Sequence, residues 1–286
     1  MAVRALVAAG AVERGLPSSR SLHSTHCKHC ASDPASPPTA SLHVNDVHAS
    51  CCGFPKNLNK GPSTVLDQGV FGDDACFIAQ YGSTHVVGVA DGVGGWRNYG
   101  IDPSEFSSRL MKLCEKIVKK GEFEPARPDK LLARAYETLV ESPRATGSST
   151  ACVLVVHHGT LYSANLGDSG YLVIRNGKVV YPYDGFIRDS PEKADLASLN
   201  LMTGDIIVLA TDGLWDNVSE EQIIQQLSGI KPGDLQRACN CLALTARRLA
   251  FDTQHLSPFA MKALKHGIDA PGGKPDDITL ILLLIA

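Results

Sequence analysis

The sequence predicts an α+β fold in which antiparallel β-sheets are covered by helices. Short runs rich in Val, Ile, Leu and Tyr are separated by turn residues, which indicates strands joined as hairpins. The amphipathic helical segments come in blocks and do not alternate with single strands. This order disfavours a doubly wound parallel sheet.

The predicted strands are short and apolar. The Asn176-Gly177 dipeptide between two of them predicts a two-residue hairpin turn. The last two runs are continuous enough in apolar residues to be buried on both faces. The predicted strands are Ala75–Gln80, His85–Ala90, Ser149–His157, Thr160–Asn165, Gly170–Arg175, Lys178–Tyr181, Ile206–Ala210 and Ile278–Ile285.

Helices are predicted from their start signals and their apolar spacing. Asp102–Glu105 supplies an N-cap, a proline at the first helical position and the acid of a capping box. Ser219–Gln222 opens a second helix in the same way. Apolar residues from Leu235 to Leu249 recur at helical spacing and predict a third helix.

Composition and charge limit the classes of function that the chain can have. With 286 residues, 44% hydrophobic and 20% charged, the chain is expected to be a soluble globular monomer with a sizeable core. The net charge of -3 and the lack of a basic block give no indication of nucleic-acid binding. The longest apolar run, Ile278–Ala286, is too short to cross a bilayer, so no transmembrane segment is expected.

The cysteines indicate a reducing compartment. They number 9 and form no disulfide framework, and several lie in apolar-periodic segments, where a free cysteine behaves as a small core residue. Cys27 and Cys30 have no second pair at suitable spacing, so a zinc clip is not predicted.

The first part of the chain is typical of a mitochondrial transit peptide. Residues 1–38 contain Arg4, Arg14 and Arg20, many alanines and serines, and few acids. The Ser/Pro/His-rich stretch that follows is predicted to be a linker, so residues 1–52 are expected outside the folded domain and residues 53–286 inside it. The expected location of the protein is the mitochondrial matrix. The alternative is a disordered tail that has no targeting function.

Acidic residues lie where predicted strands end or begin. Asp91 and Asp212 each end a strand and precede a glycine, whereas Asp73–Asp74 and Asp276–Asp277 come directly before strands. Because the end of one antiparallel strand lies beside the start of its neighbour, four acidic groups can gather at one sheet edge. Such a cluster favours hard divalent cations, Mg²⁺ or Mn²⁺.

Two cations that share a carboxylate can activate a water and hold a phosphoryl oxygen for in-line attack. A single Asp-Gly is more often a turn than a ligand. The prediction therefore depends on the recurrence of acids at strand ends and on the longer string Asp91–Gly95.

Two nucleophile motifs are judged coincidental. Gly167–Gly170 resembles the nucleophile loop of trypsin-like proteases, but Tyr171 replaces a second glycine and no partner histidine is convincing. Cys241 and Arg247 have the spacing of cysteine-dependent phosphatases. The residues between them include no glycine to cradle a phosphate and continue a helix.

The ordered motifs resemble those of the type-2C (PPM) metal-dependent protein phosphatases, over essentially the whole chain from Gly53 onward. The strings Gly94–Gly100 and Gly272–Asp276 are similar to the mitochondrial branch associated with coenzyme Q biosynthesis. The resemblance implies two packed antiparallel sheets flanked by helices on both outer faces, a four-layer αββα sandwich. The motifs are Gly72–Ala75, Asp91–Gly95, Gly147–Ala151, Asn165–Ser169, Ala210–Gly213 and Lys274–Thr279.

The resemblance also implies which residues bind two divalent ions, Mg²⁺ or Mn²⁺, and a weaker third. Asp91 would bridge two ions, one of which the Gly92 carbonyl also binds, and Asp212 and Asp276 would bind the other. Asp168 with Asp212 would hold the third. Asp91, Asp212 and Asp276 are thus the expected catalytic residues. The implied metal ligands are Asp73, Asp74, Asp91, Gly92, Asp168, Asp212 and Asp276.

The chain departs from the family pattern at two side chains. Val93 replaces the histidine that many members carry after the Asp-Gly, so the leaving group must be protonated by water or another group. Gly69 replaces an arginine that often binds substrate phosphate. Arg97, Lys60 and Lys274 are the candidate phosphate-binding substitutes.

The stretch from Tyr181 to Asp195 looks short for this branch, as if a strand and its loop were missing. The next clear predicted strand begins at Ile206. A missing strand would leave its neighbour with unpaired backbone groups and would lower the stability of the domain.

These observations predict a serine/threonine phosphatase that acts on phosphorylated mitochondrial proteins. The alternative is a pseudophosphatase or binding protein that keeps the fold with little turnover. The short stretch and the missing arginine favour the alternative, and the complete acidic set opposes it.

Overall fold

A computed structural model describes residues 46–57, 69–141, 146–182 and 194–286. Its strands are β1 (Val47–Phe54), β2 (Val70–Phe71), β3 (Asp74–Tyr81), β4 (Thr84–Asp91), β5 (Ala151–His157), β6 (Thr160–Leu166), β7 (Gly170–Arg175), β8 (Lys178–Tyr181), β9 (Asp195–Asn200), β10 (Ile206–Ala210) and β11 (Ile278–Ile285). Its helices are α1 (Pro103–Lys119), α2 (Pro128–Val140), α3 (Asp212–Trp215), α4 (Glu220–Leu227), α5 (Leu235–Ala250) and α6 (Pro258–Lys265).

The strands form two antiparallel sheets. Sheet 1 has the order β1-β11-β10-β7-β8, and sheet 2 has the order β2-β3-β4-β5-β6-β9. One apolar cluster joins sheet 2 to α1 and α2, a second joins sheet 1 to α3, α4 and α5, and a third fills the space between the sheets. The predicted α+β fold, with helices on both outer faces of two packed sheets, is confirmed.

Strand β11 shows why a continuous apolar run indicates a central strand. Leu280 and Leu282 pack in the cluster with α5, whereas Ile281 and Leu283 point into the space between the sheets. Both faces of the strand are buried, so alternation between polar and apolar residues is absent. Each such side chain contributes about 1.5–3 kcal/mol through burial.

The predicted helix starts are present. Ser219 and Gln222 form the reciprocal capping box at the start of α4. At the start of α1 the Asp102 side chain accepts a hydrogen bond from the Ser104 N–H, one residue earlier than a capping box predicts. Among the helices of the described residues, none combines the length and apolar character needed to cross a membrane.

The expected start of the domain at Gly53 is too late. Strand β1 already begins at Val47 and pairs with β11 from Val47 opposite Ile285 to Phe54 opposite Ile278. Its first residues include polar side chains and lie at the edge of sheet 1, where partial exposure hides the strand pattern. The transit-peptide segment, with Cys27 and Cys30, lies outside the described residues.

The expectation that no clear strand lies between Tyr181 and Ile206 is wrong, whereas β8, which ends at Tyr181, is an edge strand of sheet 1 that pairs with β7 among the described residues. Strand β9 precedes Ile206 and pairs with β6 along its whole length. Its residues alternate between exposed and half-buried because it is an edge strand, so it lacks a continuous apolar run. The short stretch itself, residues 183–193, lies outside the described residues.

Candidate metal centre

The predicted acids converge at one end of the sandwich, from both sheets. Asp74 and Asp91 are opposite residues of the β3–β4 pair in sheet 2. Asp212 follows β10 in sheet 1, and the Thr211 hydroxyl donates to Asp74 Oδ2 at 2.8 Å. The sequence predicted that the acids gather at one edge of one sheet. This prediction is corrected, because the acids lie where the ends of two packed sheets meet.

Three of the predicted aspartates come close enough to share a cation. Carboxylate oxygens of Asp91, Asp168 and Asp212 all lie within 4.8 Å of one another. Asp91 and Asp212 are buried, and Asp168, in the turn between β6 and β7, is half-buried. Such an oxygen-only donor set suits a hard divalent ion.

Thr150 fixes Asp91 through its backbone. The Asp91 N–H donates to Thr150 Oγ1 at 2.9 Å, and the Thr150 N–H donates to the Asp91 carbonyl, also at 2.9 Å. The Ser169 hydroxyl is 2.6 Å from Thr150 Oγ1, so the same threonine ties the turn that carries Asp168 to the end of β4. The Gly147–Ala151 motif therefore positions the cluster without supplying a carboxylate.

Asp73 lies at the border of the cluster, beside Arg97. The two side chains form an ion pair in which Arg97 Nη2 donates to Asp73 Oδ1. The Asp73 carbonyl accepts from the Gly92 N–H at 3.0 Å and from the Ser107 hydroxyl at 2.6 Å. Arg97 belongs to a short 3-10 helix, and its side chain is 59% exposed, so the guanidinium is accessible from solvent.

The Asp277 side chain holds two backbone segments beside the cluster through hydrogen bonds. Its side chain accepts hydrogen bonds from the backbone N–H groups of Lys56 at 2.5 Å and Asp73 at 2.8 Å. A Cβ on Gly213 would lie only 2.0 Å from the Asp277 carbonyl oxygen. The start of α3 and the chain before β11 are thus packed in direct contact.

Lys274 and Asp216 lie on the sheet 1 side of the cluster. Lys274 Nζ is 2.6 Å from Asp212 Oδ2, 2.6 Å from Asp216 Oδ2 and 3.5 Å from Asp276 Oδ2. Sequence reasoning missed Asp216. Its position four residues after Asp212, at the end of a one-turn helix, was the available signal because such residues share a face.

Burial makes the charged forms of several of these acids unfavourable. It raises the pKa of Asp74 well above the ordinary range, and the nearby charge of Asp277 adds to this effect. Burial also raises the pKa of Asp73, Asp216 and Asp277, against the opposing contributions of their cationic or N–H partners. Burial opposes the charge of Lys274, but the surrounding carboxylates outweigh it and raise the pKa of that ammonium.

The donor set fits a divalent cation. Asp74 Oδ1 is buried, and no group in the described part of the chain donates a hydrogen bond to it. A buried carboxylate oxygen without a donor is costly unless a cation or water satisfies it. Of the predicted phosphate-binding residues, Arg97 lies beside Asp73, Lys274 lies among carboxylates, and Lys60 lies outside the described residues.

The two nucleophile motifs do not form nucleophilic sites. Ser169 is buried and bonded to Thr150, and no histidine contact of its hydroxyl occurs among the described residues. Cys241 is an exposed residue in the interior of α5. Both interpretations from the sequence are therefore consistent with the structure.

Sequence comparison finds related proteins along most of the chain. The family model described as Stage II sporulation protein E (SpoIIE) matches residues 82–285. The human "Protein phosphatase PTC7 homolog" is 43% identical over 263 residues, covering 82% of this chain and 86% of that protein. The Xenopus laevis protein of the same name is also 43% identical, covering 82% of this chain and 88% of its own length.

Structural comparison gives the same fold. The photosystem II phosphatase PBCP matches with a TM-score of 0.70 and 28% identity, over 84% of this chain and 99% of that chain. The catalytic domain of the serine/threonine protein phosphatase PstP, solved in complex with 2 manganese ions, matches with a TM-score of 0.56 and 16% identity, over 83% and 97%. The second likeness supports the fold alone.

Proposed function

Since the chain belongs to the PP2C-type serine/threonine protein phosphatases, the family of the SpoIIE domain, we propose that its aspartate cluster holds two divalent ions, Mg²⁺ or Mn²⁺. We propose that the chain, as a monomer, hydrolyses phosphoserine and phosphothreonine in mitochondrial proteins. The observation that carries the proposal is the convergence of Asp91, Asp168 and Asp212 within 4.8 Å, beside the buried Asp74.

The proposed ligands take different roles. Asp91 would bind both ions and the Gly92 carbonyl would bind one of them, and Asp212 and Asp276 would hold the other. Asp73 and Asp74, at the start of β3, would contact metal directly or through water, and Asp168 with Asp212 would form a weaker third site. When bound, the ions would supply an activated water and a Lewis acid for the phosphoryl oxygen.

Residues around the cluster complete the site. Thr150 holds the backbone of Asp91 in place, which keeps the bridging carboxylate oriented. Arg97 is the proposed phosphate-binding residue, because its guanidinium is exposed and lies next to Asp73 at the border of the cluster. Val93 cannot transfer a proton, so we propose that water protonates the leaving group.

A hydrolysis assay tests this function. Protein stripped of metal with EDTA should be inactive on a phosphothreonine peptide and should regain turnover when Mn²⁺ or Mg²⁺ is added. A phosphotyrosine peptide of the same sequence should remain uncleaved. Manganese binding without turnover would instead favour a pseudophosphatase, the alternative suggested by Gly69 in place of a phosphate-binding arginine.

The mitochondrial address is supported by the composition of residues 1–38. The Gly94–Gly100 and Gly272–Asp276 strings support a role in regulating coenzyme Q biosynthesis, through substrates of that route. Imaging of the full chain and of a form without residues 1–38 tests the address. A full-length protein that stays diffuse in the cytosol would remove this part of the proposal.

A further inference from the structure

An ammonium group lies inside the acidic cluster. Lys274 Nζ is within 2.6 Å of carboxylate oxygens of both Asp212 and Asp216, and Asp276 is 3.5 Å away. Asp212 also belongs to the group of aspartates that converge within 4.8 Å. A positive charge of the chain itself therefore contacts a residue to which a divalent ion is assigned.

The backbone of Lys274 is fixed by hydrogen bonds that do not depend on the charge of its side chain. Asn217 Oδ1 accepts from the Lys274 N–H at 2.8 Å, and Asn217 Nδ2 donates to the Lys274 carbonyl and to the Gly213 carbonyl, both at 2.9 Å. The ammonium also lies 5.6 Å from the centre of the Phe259 ring. Because the side chain is only 26% exposed, it differs from an ordinary solvated surface lysine.

We propose that Lys274 is an internal counter-ion that competes with a divalent cation for Asp212 and its neighbours Asp216 and Asp276. The inference rests on the metal centre proposed above and adds a property of this chain. In the metal-free protein the ammonium neutralises carboxylates that would otherwise repel each other. A divalent ion that approaches Asp212 must displace the ammonium or bind against its repulsion, so cation binding on this side is weakened.

Two consequences follow for a variant without this charge, Lys274→Met. Its metal-free form should be less stable than the wild type, because removing one partner of a buried ion pair leaves charges uncompensated. Its affinity for Mn²⁺ should rise, because the like charge is gone. A purely structural role for Lys274 would predict the first effect but not the second.

The test is Mn²⁺ titration of the EDTA-treated full chain by calorimetry, with free Mn²⁺ counted by electron paramagnetic resonance. Lys274→Met should bind the weaker class of Mn²⁺ about tenfold more tightly, since a unit charge a few ångströms away opposes a cation even under strong screening. Lys274→Arg keeps the charge and should resemble the wild type. Lys265→Met, which removes the same charge from an exposed position on α6, is the matched control.

Equal Mn²⁺ affinity in Lys274→Met and the wild type would overturn the inference. If the methionine variant does not fold without metal, Lys274→Gln, which keeps hydrogen-bonding capacity without charge, is titrated in its place and the same criterion applies. Absence of Mn²⁺ binding by the wild-type protein would contradict the metal centre itself. That result differs from the one that overturns only the role of Lys274.

Discussion

The candidate metal centre has two sides that are held in different ways. On the strand side, Asp74 and Asp91 are opposite residues of the antiparallel β3–β4 pair. On the helix side, Asp212 and Asp216 lie at the two ends of the one-turn helix α3, and Lys274 contacts both carboxylates. Backbone pairing thus positions the strand side, whereas an ion pair and loop packing position the helix side.

This difference predicts which substitutions lower activity alone and which lower both activity and stability. The strands that carry Asp74 and Asp91 are anchored by apolar side chains on both faces of sheet 2, so we expect them to tolerate a change of charge at their ends. The helix side depends on close contacts between α3 and the chain before β11. Changes on the strand side should therefore impair activity without unfolding, and changes on the helix side should impair both.

The largest effect is expected for Asp91→Asn on the strand side. Loss of the bridging charge should lower Mn²⁺-dependent turnover of a phosphothreonine peptide by more than the ~10²–10³-fold lost with one transition-state donor. The metal-free variant should keep the thermal unfolding temperature of the wild type or exceed it, because a buried charge is removed. Near-wild-type turnover would refute the two-metal assignment.

Arg97→Ala should have the next largest effect. A charge-assisted hydrogen bond contributes about 1.5–3 kcal/mol, which corresponds to a decrease of roughly 10- to 100-fold in kcat/KM. Arg109→Ala, which removes an arginine that pairs with Glu105 on the surface of α1, serves as the control. A similar decrease in both variants would show that Arg97 acts only through the overall charge.

Gly213→Ala tests the packing of the helix side. The added Cβ would meet the Asp277 carbonyl oxygen at 2.0 Å, so the free energy of unfolding should fall by about 1–3 kcal/mol, as for other overpacked sites. Gly233→Ala is the matched control, because nothing lies within 4 Å of its added Cβ. Equal denaturation midpoints for the two variants would contradict the close contact.

Asp74→Asn tests whether a charged carboxylate on the strand side lowers stability, which is measured as a function of pH. Burial raises the pKa of Asp74 above its ordinary value of 3.8, so the folded protein keeps a proton that the unfolded chain releases. The free energy of unfolding of the metal-free protein should then decrease as the pH rises above that value. The advantage in unfolding temperature of Asp74→Asn over the wild type should accordingly grow with pH.

Asp129 provides a control of opposite sign. The hydrogen bond from Arg127 lowers the pKa of Asp129, so this residue stabilises the folded state above its unfolded pKa and loses that effect in acid. Asp129→Asn should therefore lower the unfolding temperature slightly near neutral pH. If both variants changed in the same direction, burial of Asp74 would not be the cause.

The smallest effect is expected for Cys241→Ser, which lies outside both sides of the centre. Cys241 is exposed on α5, so turnover and the unfolding temperature should stay within experimental error of the wild type. Measuring both with the phosphothreonine peptide checks this. A large loss of turnover with an intact fold would revive the cysteine mechanism.

The central strands and the acidic positions were predictable from the sequence because both depend on local patterns. Continuous apolar runs mark strands covered on both faces, as in β10 and β11. The edge strands β1 and β9 were not predicted, because partial exposure removes the continuous apolar pattern. Helix α2 was missed although Leu131, Ala135 and Leu139 recur at helical spacing, so its signal was present.

The ion pair on the helix side was not predictable in the same way. A basic residue near a turn is usually solvated, and nothing local indicates that Lys274 meets Asp212 and Asp216, which lie 62 and 58 residues earlier in the chain. Only the folding of β11 beside β10 brings these residues together. Long-range contacts of this kind require the three-dimensional structure.

Anomalous scattering from crystals grown with Mn²⁺ tests the central claim most directly. The two sides of the centre should hold manganese between them, with density peaks at roughly 2.0–2.6 Å, the coordination distance of hard cations, from carboxylate oxygens of Asp91 and Asp212. The same crystals should lose these peaks in Asp91→Asn. Active protein whose manganese peaks all lie away from both aspartates would contradict the assignment.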